Sequence, residues 1–280
     1  MTSLPPTRPE NPTDRTRVFW ELHVPGDPLL MPNPWDPGSA RLLASMGFQA
    51  LATTSSGFAA TLGQPDGSIS REAALGHAAA IVAAVEVPVS ADLENGFADD
   101  PNGVFATVQT AVDVGLAGCS VEDFTRSPNG PIYPLDLAAE RVAAAADAAR
   151  QGTGLVLTAR AENLIRGNPD LDDTITRLLA YQAAGADVLY APGLVDIDDI
   201  RRVVAEVDRP VNVLARPGLA PVSELAEAGV ARISVGGAFG QVAMAAVARA
   251  GREFLDDGTY GFTGAAGEGR NHAAIAFGSL

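Results

Sequence analysis

The feature that most constrains this chain is an eightfold alternation between short apolar segments and alanine-rich amphipathic segments. The apolar segments span residues 29–33, 49–55, 87–94, 118–123, 155–160, 187–193, 211–215 and 232–237. Between them apolar residues recur at intervals of three and four, which predicts helices. Short apolar strands that alternate with helices are typical of a parallel sheet whose outer face is covered.

Eight such units over about 230 residues match the size of a closed (β/α)8 TIM barrel. The alternative is an open doubly wound sheet, which would usually carry a GxGxxG turn after its first strand. The sequence after the first strand is NPWDPGS, which lacks that pattern. The alternation therefore predicts an α/β fold of the TIM-barrel type.

The domain boundaries follow from the same pattern. Residues 1–13 contain four prolines and form a predicted N-terminal arm, and residues 14–258 form the predicted barrel, which is the catalytic domain. A last helix is predicted over 238–255, followed by a glycine-rich C-terminal tail over 259–280. This tail is interpreted either as a flexible terminus or as a segment that reaches a neighbouring subunit.

Charge excludes several functions. The chain has 19 basic and 34 acidic residues, a net charge of −15, so nucleic acid and anionic membranes are not expected as partners. All 19 basic residues are arginine. The absence of lysine excludes Schiff-base aldolases, pyridoxal-phosphate enzymes and P-loop ATPases, because each needs a lysine amine at the reacting centre.

Cysteine and histidine are scarce. Cys119 is the single cysteine, so an internal disulfide and a cysteine-rich zinc site are excluded, and we interpret Cys119 as a core residue. The histidines His23, His77 and His272 show no metal-ligand spacing. With neither a secretory-type N-terminus nor a long apolar stretch in the sequence, we expect a cytoplasmic protein.

Charged side chains stand at the ends of the predicted strands and in the loops that follow them. The set consists of Asp66, Asp92, Glu94, Glu122, Asp123, Arg160 and Glu162. Active groups of a TIM barrel lie at the C-terminal ends of its strands, so these side chains are expected to meet above one barrel end. Carboxylates that converge repel one another unless a cation lies between them.

Two interpretations of this acidic set remain open. Without a histidine or thiolate cluster, the natural cation is Mg²⁺ or Mn²⁺, bound through oxygen and partly through water. Arg160 would then bind a substrate carboxylate with two parallel hydrogen bonds. Alternatively, Arg160 and the carboxylates form a structural ring of salt bridges.

Two small-residue turns have open interpretations as well. The hydroxyl-rich run that includes Ser55, Ser56 and Gly57 could hold a carboxylate or could cap the next helix. The segment SVGGAF after the eighth strand could hold a phosphate or could form a tight turn.

Six segments occur in an order that resembles the isocitrate lyase/phosphoenolpyruvate mutase superfamily, nearest to its short phosphonomutase-like members. They are NPWDPGSARLL, ATTSSGFAATLGQPDG, SADLENGF, VEDF, TARAE and AYQAAGAD. The resemblance runs from about residue 30 to residue 258 and implies a barrel that forms a homodimer or homotetramer, with its last helix packed against a partner subunit.

The resemblance also implies roles for individual residues. Asp92, Glu94 and Glu122 match the acids of the Mg²⁺ site. Arg160 matches the substrate-binding arginine. Asp66 matches a loop acid that faces metal and substrate.

Further positions match the binding of the substrate. Ser55 and Ser56, with Gly57, fall on the carboxylate-binding turn, and Glu122 also faces the substrate. Arg126 and Asn129 are the available substitutes for the lysine and asparagine that phosphonopyruvate-processing members place on the loop after the ED pair.

This loop reads EDFTRSPNGPIYP and lacks the cysteine that serves as acid/base in isocitrate and methylisocitrate lyases. The resemblance implies a Mg²⁺-dependent carbon–carbon lyase or decarboxylase for a small 2-oxo or 2-hydroxy acid, which acts through a pyruvate-type enolate. Asp66, or a group on the 124–130 loop, would handle the proton.

Two alternatives stand beside this prediction. One is a phosphonomutase or phosphonopyruvate hydrolase, in which Asp66 is the nucleophile and Arg126 and Asn129 bind the phosphonyl oxygens. The other is a barrel without catalysis that binds a metabolite.

Overall fold

The computed structural model describes residues 13–127 and 129–278. Residues 1–12 of the predicted arm over 1–13, Pro128 of the 124–130 loop and residues 279–280 of the predicted tail therefore lie outside the described residues. Eight strands are present, and each lies within one of the predicted apolar segments. They are β1 (Leu29–Met31), β2 (Leu51–Ala52), β3 (Val89–Asp92), β4 (Gly118–Glu122), β5 (Val156–Arg160), β6 (Val188–Tyr190), β7 (Val211–Leu214) and β8 (Arg232–Ser234).

The strands form one parallel sheet in the order β1-β8-β7-β6-β5-β4-β3-β2. The amide of Ala52 donates a hydrogen bond of 3.1 Å to the carbonyl oxygen of Pro32, which links the ends of β1 and β2. This order, with helices around it, confirms the predicted (β/α)8 barrel.

The helices follow the strands around the outside of the sheet. They are α1 (Asp14–Glu21), α2 (Pro37–Ser45), α3 (Ser55–Thr61), α4 (Arg71–Ala84), α5 (Pro101–Asp113), α6 (Leu135–Ala149), α7 (Leu171–Ala183), α8 (Ile197–Glu206), α9 (Val222–Glu227), α10 (Ala238–Arg252) and α11 (Thr263–Phe277). Most begin at a side-chain cap. Asp36 accepts from the Ser39 amide at the start of α2, and Thr54 accepts from the Gly57 amide at the start of α3.

The main hydrophobic core lies between the sheet and the helices, and Cys119 belongs to it as predicted. Burial raises the pKa of the Cys119 thiol, which keeps it protonated. A second cluster closes the N-terminal end of the barrel, where Phe19 of α1 is fully buried. Phe19 packs against Gly118, where an added Cβ would lie only 2.5 Å from its ring.

The C-terminal region differs from the flexible-terminus interpretation. After α10 the chain makes a π-turn over Glu253–Asp257, and α11 then packs against α2 of the same chain. The many alanines of this tail favour a helix despite its glycines.

Helix α10 contains no buried residue in the single chain. Apolar side chains such as Val242, Met244 and Val247 are therefore exposed on it. No helix among the described residues has the length and apolar character required to cross a bilayer.

Candidate active site

A cavity of about 460 Å³ opens at the C-terminal end of the barrel, and we call it the mouth cavity. Its lining contains most of the predicted site residues. The lining residues are Ser55, Asp66, Gly67, Asp92, Glu94, Glu122, Phe124, Arg126, Arg160 and Arg166. Four acids face three arginines here, so the net negative charge is smaller than the sequence alone indicated.

Arg160, at the end of β5, lies at the centre of this charge cluster. Its Nη1 is 3.2 Å from Oδ1 of Asp92, and its Nη2 is 3.0 Å from Oε2 of Glu122. Nε and Nη2 also donate to Oε1 of Glu162, at 3.1 and 2.6 Å. Every nitrogen of the guanidinium group thus faces a carboxylate of the protein. The predicted pair of hydrogen bonds to a substrate carboxylate therefore requires one of these protein carboxylates to turn away.

No individual role was predicted for two members of this network, Glu162 and Arg166. Glu162 is fully buried, and its Oε2 is 3.0 Å from Nη2 of Arg166. Arg166 in turn lies 3.7 Å from the ring centroid of Phe124. Glu162 stands two residues after Arg160, and Arg166 stands four residues after Glu162. This spacing is the sequence signal that could have identified both residues as neighbours of Arg160.

Burial controls the protonation of this cluster. Burial raises the pKa of Glu122 to about 8; the charge of Arg160 opposes this shift, and Glu162 and Asp92 add to it. Burial lowers the pKa of Arg160, but Glu162, Glu122 and Asp92 outweigh that effect and leave it well above its ordinary value. Burial also raises the pKa of Tyr190 to about 12. Glu122 therefore holds a proton near neutral pH.

Asp92 is held from three sides at the end of β3. Its Oδ2 accepts a hydrogen bond of 2.9 Å from the Ser55 hydroxyl, and its Oδ1 accepts from the Glu94 amide at 3.2 Å and from Arg160. The hydroxyl-rich run therefore does two things: Thr54 caps α3, and Ser55 orients Asp92.

Asp123, which follows Glu122 in sequence, has a structural role. It is buried, and its Oδ2 accepts from the hydroxyl of Tyr181 at 2.5 Å and from Arg177 at 3.1 Å. Burial raises the pKa of Asp123, and the Tyr181 hydrogen bond opposes that shift. These contacts tie β4 to α7 rather than to the mouth cavity.

Two loops meet across the mouth. Arg126 contacts the Glu94 carboxylate and donates to the carbonyl oxygen of Gly67, next to Asp66. Both Glu94 (φ 51°) and Arg126 (φ 63°) adopt the left-handed conformation that is uncommon outside glycine. The contact joins the 124–130 loop to the loop after α3 and places Asp66, which is exposed, at the rim.

Three predicted site residues lie elsewhere. Asn129 is exposed and does not line the mouth cavity. Gly57 is buried in the first turn of α3, where an added Cβ would lie 2.5 Å from the Thr54 side chain. Ser56 lines a deeper cavity of about 220 Å³, which we call the inner cavity and which shares Asp92 and Arg160 with the mouth cavity.

The turn after β8 donates its amides to a protein side chain, so these amides do not form an open site for a phosphate. Oδ1 of Asn33 accepts hydrogen bonds from the amides of Val235 and Gly236, at 3.0 and 2.9 Å. Gly236 has φ 53°. The tight-turn interpretation of SVGGAF therefore accounts for these glycines.

The donor set is compatible with a hard divalent cation only in part. Within residues 13–127 and 129–278, no three acidic, histidine or cysteine side chains are close enough to ligate one ion directly. Asp92, Glu94 and Glu122 nevertheless face one cavity with oxygen atoms, and Mg²⁺ usually keeps several of its waters. These carboxylates therefore fit an ion held largely through water.

Residues 19–255 match the family model described as phosphoenolpyruvate phosphomutase. The chain belongs to this family. It thus falls in the isocitrate lyase/phosphoenolpyruvate mutase superfamily, as the motifs predicted.

Individual relatives agree with this assignment. A solved structure from Burkholderia cenocepacia J2315, named a candidate lyase/mutase, is 52% identical with a TM-score of 0.89, and the match covers 92% of this chain and 94% of that one. An uncharacterized protein of Mycobacterium tuberculosis H37Rv is 34% identical and covers 85% of this chain and 89% of the relative.

A relative with a named activity is oxaloacetate decarboxylase from Chromohalobacter salexigens. It is 30% identical, and the match covers 72% of each chain. Named members of the superfamily are enzymes, and they include both lyases and mutases.

Proposed function

We propose that this protein is a Mg²⁺-dependent carbon–carbon lyase or decarboxylase that acts on a small 2-oxo or 2-hydroxy acid through a pyruvate-type enolate. The observation that carries the proposal is the position of Arg160 and Ser55 beside the carboxylates of Asp92 and Glu122 in the mouth cavity. A cation and a hydroxyl can bind an acid there, next to oxygen atoms that suit a divalent ion.

Asp92, Glu94 and Glu122 would hold Mg²⁺, or Mn²⁺, largely through water. When bound, the ion supplies positive charge that stabilises the oxyanion of the enolate. Arg160 binds the substrate carboxylate, together with the hydroxyls of Ser55 and Ser56. For this, the Asp92 carboxylate must move off Nη1 of Arg160, 3.2 Å away.

The proton is handled at the rim. Asp66 is exposed on the loop after α3, and its carboxylate lies near the guanidinium group of Arg126. We assign the acid/base role to Asp66, with Arg126 as the loop group that orients it. This assignment agrees with the absence of a cysteine or lysine on the 124–130 loop.

Carbon–phosphorus chemistry is the second candidate. It is favoured by the presence of Arg126 and Arg166 in addition to Arg160 around the mouth, because guanidinium groups suit phosphonyl oxygens. In that reaction Asp66 is the nucleophile. The exposed Asn129 does not contribute from its observed position.

We also propose that the protein works in the cytoplasm as a homodimer or homotetramer. The exposed apolar face of α10, with Val242, Met244 and Val247, supports a subunit contact at this helix. A mass measurement in solution by light scattering tests this, and a monomer at all concentrations would contradict it.

The test of function uses purified protein with Mg²⁺ and, separately, oxaloacetate, 2-methylisocitrate and phosphonopyruvate. Pyruvate released from oxaloacetate or 2-methylisocitrate supports the lyase or decarboxylase. Formation of pyruvate or phosphoenolpyruvate from phosphonopyruvate alone supports the second candidate. Asp92→Asn is the control, since it keeps the shape of the side chain and removes its charge. If no substrate reacts and calorimetry detects no Mg²⁺ binding at millimolar concentration, the barrel that binds a metabolite without catalysis is the correct interpretation.

A further inference from the structure

The floor of the inner cavity contains a cation that the proposed reaction does not use. Arg232, at the start of β8, lines this cavity and is only 3% exposed. Among the residues that the structure describes, it forms no ion pair with a carboxylate. A buried charge without a counterion is costly, so this guanidinium requires an explanation.

All of the hydrogen-bond partners of Arg232 are neutral. Nε donates to Oδ1 of Asn212 at 2.9 Å, and Nη2 donates to Oγ1 of Thr158 at 3.0 Å. Nη1 is 3.0 Å from Nε2 of His23. A guanidinium group only donates, so Nε2 of His23 accepts, and Nδ1–H of His23 donates to the Phe19 carbonyl oxygen at 2.7 Å.

Arg232 is nevertheless charged at neutral pH. Burial lowers its pKa to about 9, which is still above the physiological range. The same buried charge, after burial itself, helps lower the pKa of His23 to about 3, so that His23 stays neutral. The floor of the barrel thus holds one positive charge among uncharged groups.

The guanidinium group of Arg232 is held in place by hydrogen bonds, but it can donate further ones. Within the described part of the chain, three of its five N–H groups have partners, and one N–H on each of Nη1 and Nη2 remains. The inner cavity is lined by small polar side chains, including Ser90, Ser120 and Ser234, so it has room for a polar group.

The cavity is continuous with the proposed reaction site. Arg160 lines both the mouth and inner cavities. Thr158, which binds Arg232, stands two residues before Arg160 on β5, a distance of roughly 6.6 Å along the strand. A chain of four or five carbon atoms can place its two ends near these two arginines.

We propose that Arg232 binds a second carboxylate of the substrate, so that it selects diacids over monoacids of the same length. The inference rests on the proposed function, because Arg160 holds the first carboxylate. Arg232 is then a specificity residue at the opposite end of the substrate from the carboxylate that Arg160 binds.

The test compares the binding of 2-oxoglutarate with that of 2-oxopentanoate by calorimetry in the presence of Mg²⁺. The two acids have equal length and differ in one terminal carboxylate. We expect the wild-type protein to bind the diacid about 10- to 100-fold more tightly, the usual worth of a charge-assisted contact. Equal affinity for the two acids would overturn the inference.

Two variants examine the role of Arg232 itself. Asn212→Asp places a carboxylate 2.9 Å from Nε with almost no change in shape, and it should remove the preference by neutralising the guanidinium internally. Arg232→Met should remove the preference as well, with circular dichroism as the check on folding. A preference that persists in Asn212→Asp would show that the diacid binds elsewhere.

The binding of pyruvate distinguishes a failure of the Arg232 inference from a failure of the proposed function. If the wild-type protein binds pyruvate and Mg²⁺ but does not discriminate between the two longer acids, only the Arg232 inference fails. If it binds neither pyruvate nor Mg²⁺, the proposed function fails, and the Arg232 inference fails with it.

Discussion

Glu122→Gln tests whether Glu122 is a protonated group or a permanent member of a salt bridge. Glu122 is 7% exposed and lies 3.0 Å from Arg160, yet burial raises its pKa from 4.5 to about 8. The folded protein therefore holds this proton more tightly than the unfolded chain does. Its contribution to stability is complete below pH 4.5 and is lost as the pH rises through about 8.

The size of the expected stability change follows from the pH interval between the unfolded and folded pKa values of Glu122. One pKa unit corresponds to about 1.4 kcal/mol, so the interval from 4.5 to about 8 corresponds to at most about 5 kcal/mol. Because Asp92 and Glu162 share the same guanidinium, we expect about 2–5 kcal/mol. Glutamine cannot ionise and keeps the shape of the side chain, so this part of the pH dependence should disappear in the variant.

The assay is urea unfolding, followed by circular dichroism, of both proteins in metal-free buffer at pH 5 and pH 8.5. We expect similar free energies of unfolding at pH 5 and a more stable variant at pH 8.5. Glu86→Gln is the matched control, because Glu86 is fully exposed and pairs with Arg15 at the surface. A Glu122→Gln variant that is destabilised by several kcal/mol at both pH values would refute the argument, since it would show an ionised Glu122 in a structural salt bridge.

Further predictions concern other parts of the chain. Asp92→Ala should abolish turnover and change the free energy of unfolding by less than about 2 kcal/mol; unfolding of the variant in a thermal melt would instead support a structural ring of salt bridges. His23 has its pKa lowered to about 3, mainly by burial, so wild-type stability should fall as the pH drops below 6.5, by up to about 5 kcal/mol, and urea titrations of His23→Gln should show a flatter profile. Gly118→Ala should cost about 1–3 kcal/mol because its Cβ would overlap Phe19, whereas Gly76→Ala in α4 meets no atom within 4 Å and should stabilise by about 0.4–1 kcal/mol in the same assay.

The sequence by itself determined the architecture and the end of the barrel where the charges collect. Strands alternate with helices in a local pattern, and the ends of parallel strands meet at one edge whatever the details of packing. The placing of Asp92 and Arg160 near each other, at 3.2 Å, follows from this rule. The family motifs were also readable directly, because they are contiguous in the chain.

Tertiary structure alone decided how the charges are paired. Three carboxylates share Arg160 because the ends of β3, β4 and β5 turn their side chains toward one point, and strand order does not specify those directions. The loop residue Arg126 reaches Gly67 across 59 positions of sequence. The flexible-terminus interpretation of the tail failed for the same reason, because α11 is secured by packing on α2.

Arg232 and His23 show this limit most clearly. They are separated by 209 positions, and no motif in the sequence indicated a role for either residue. Burial and the lack of a charged partner are properties of the folded barrel, because they depend on which side chains face inward from all eight strands at once. Local sequence determines which residues form the strands, and only their assembly determines what surrounds a buried charge.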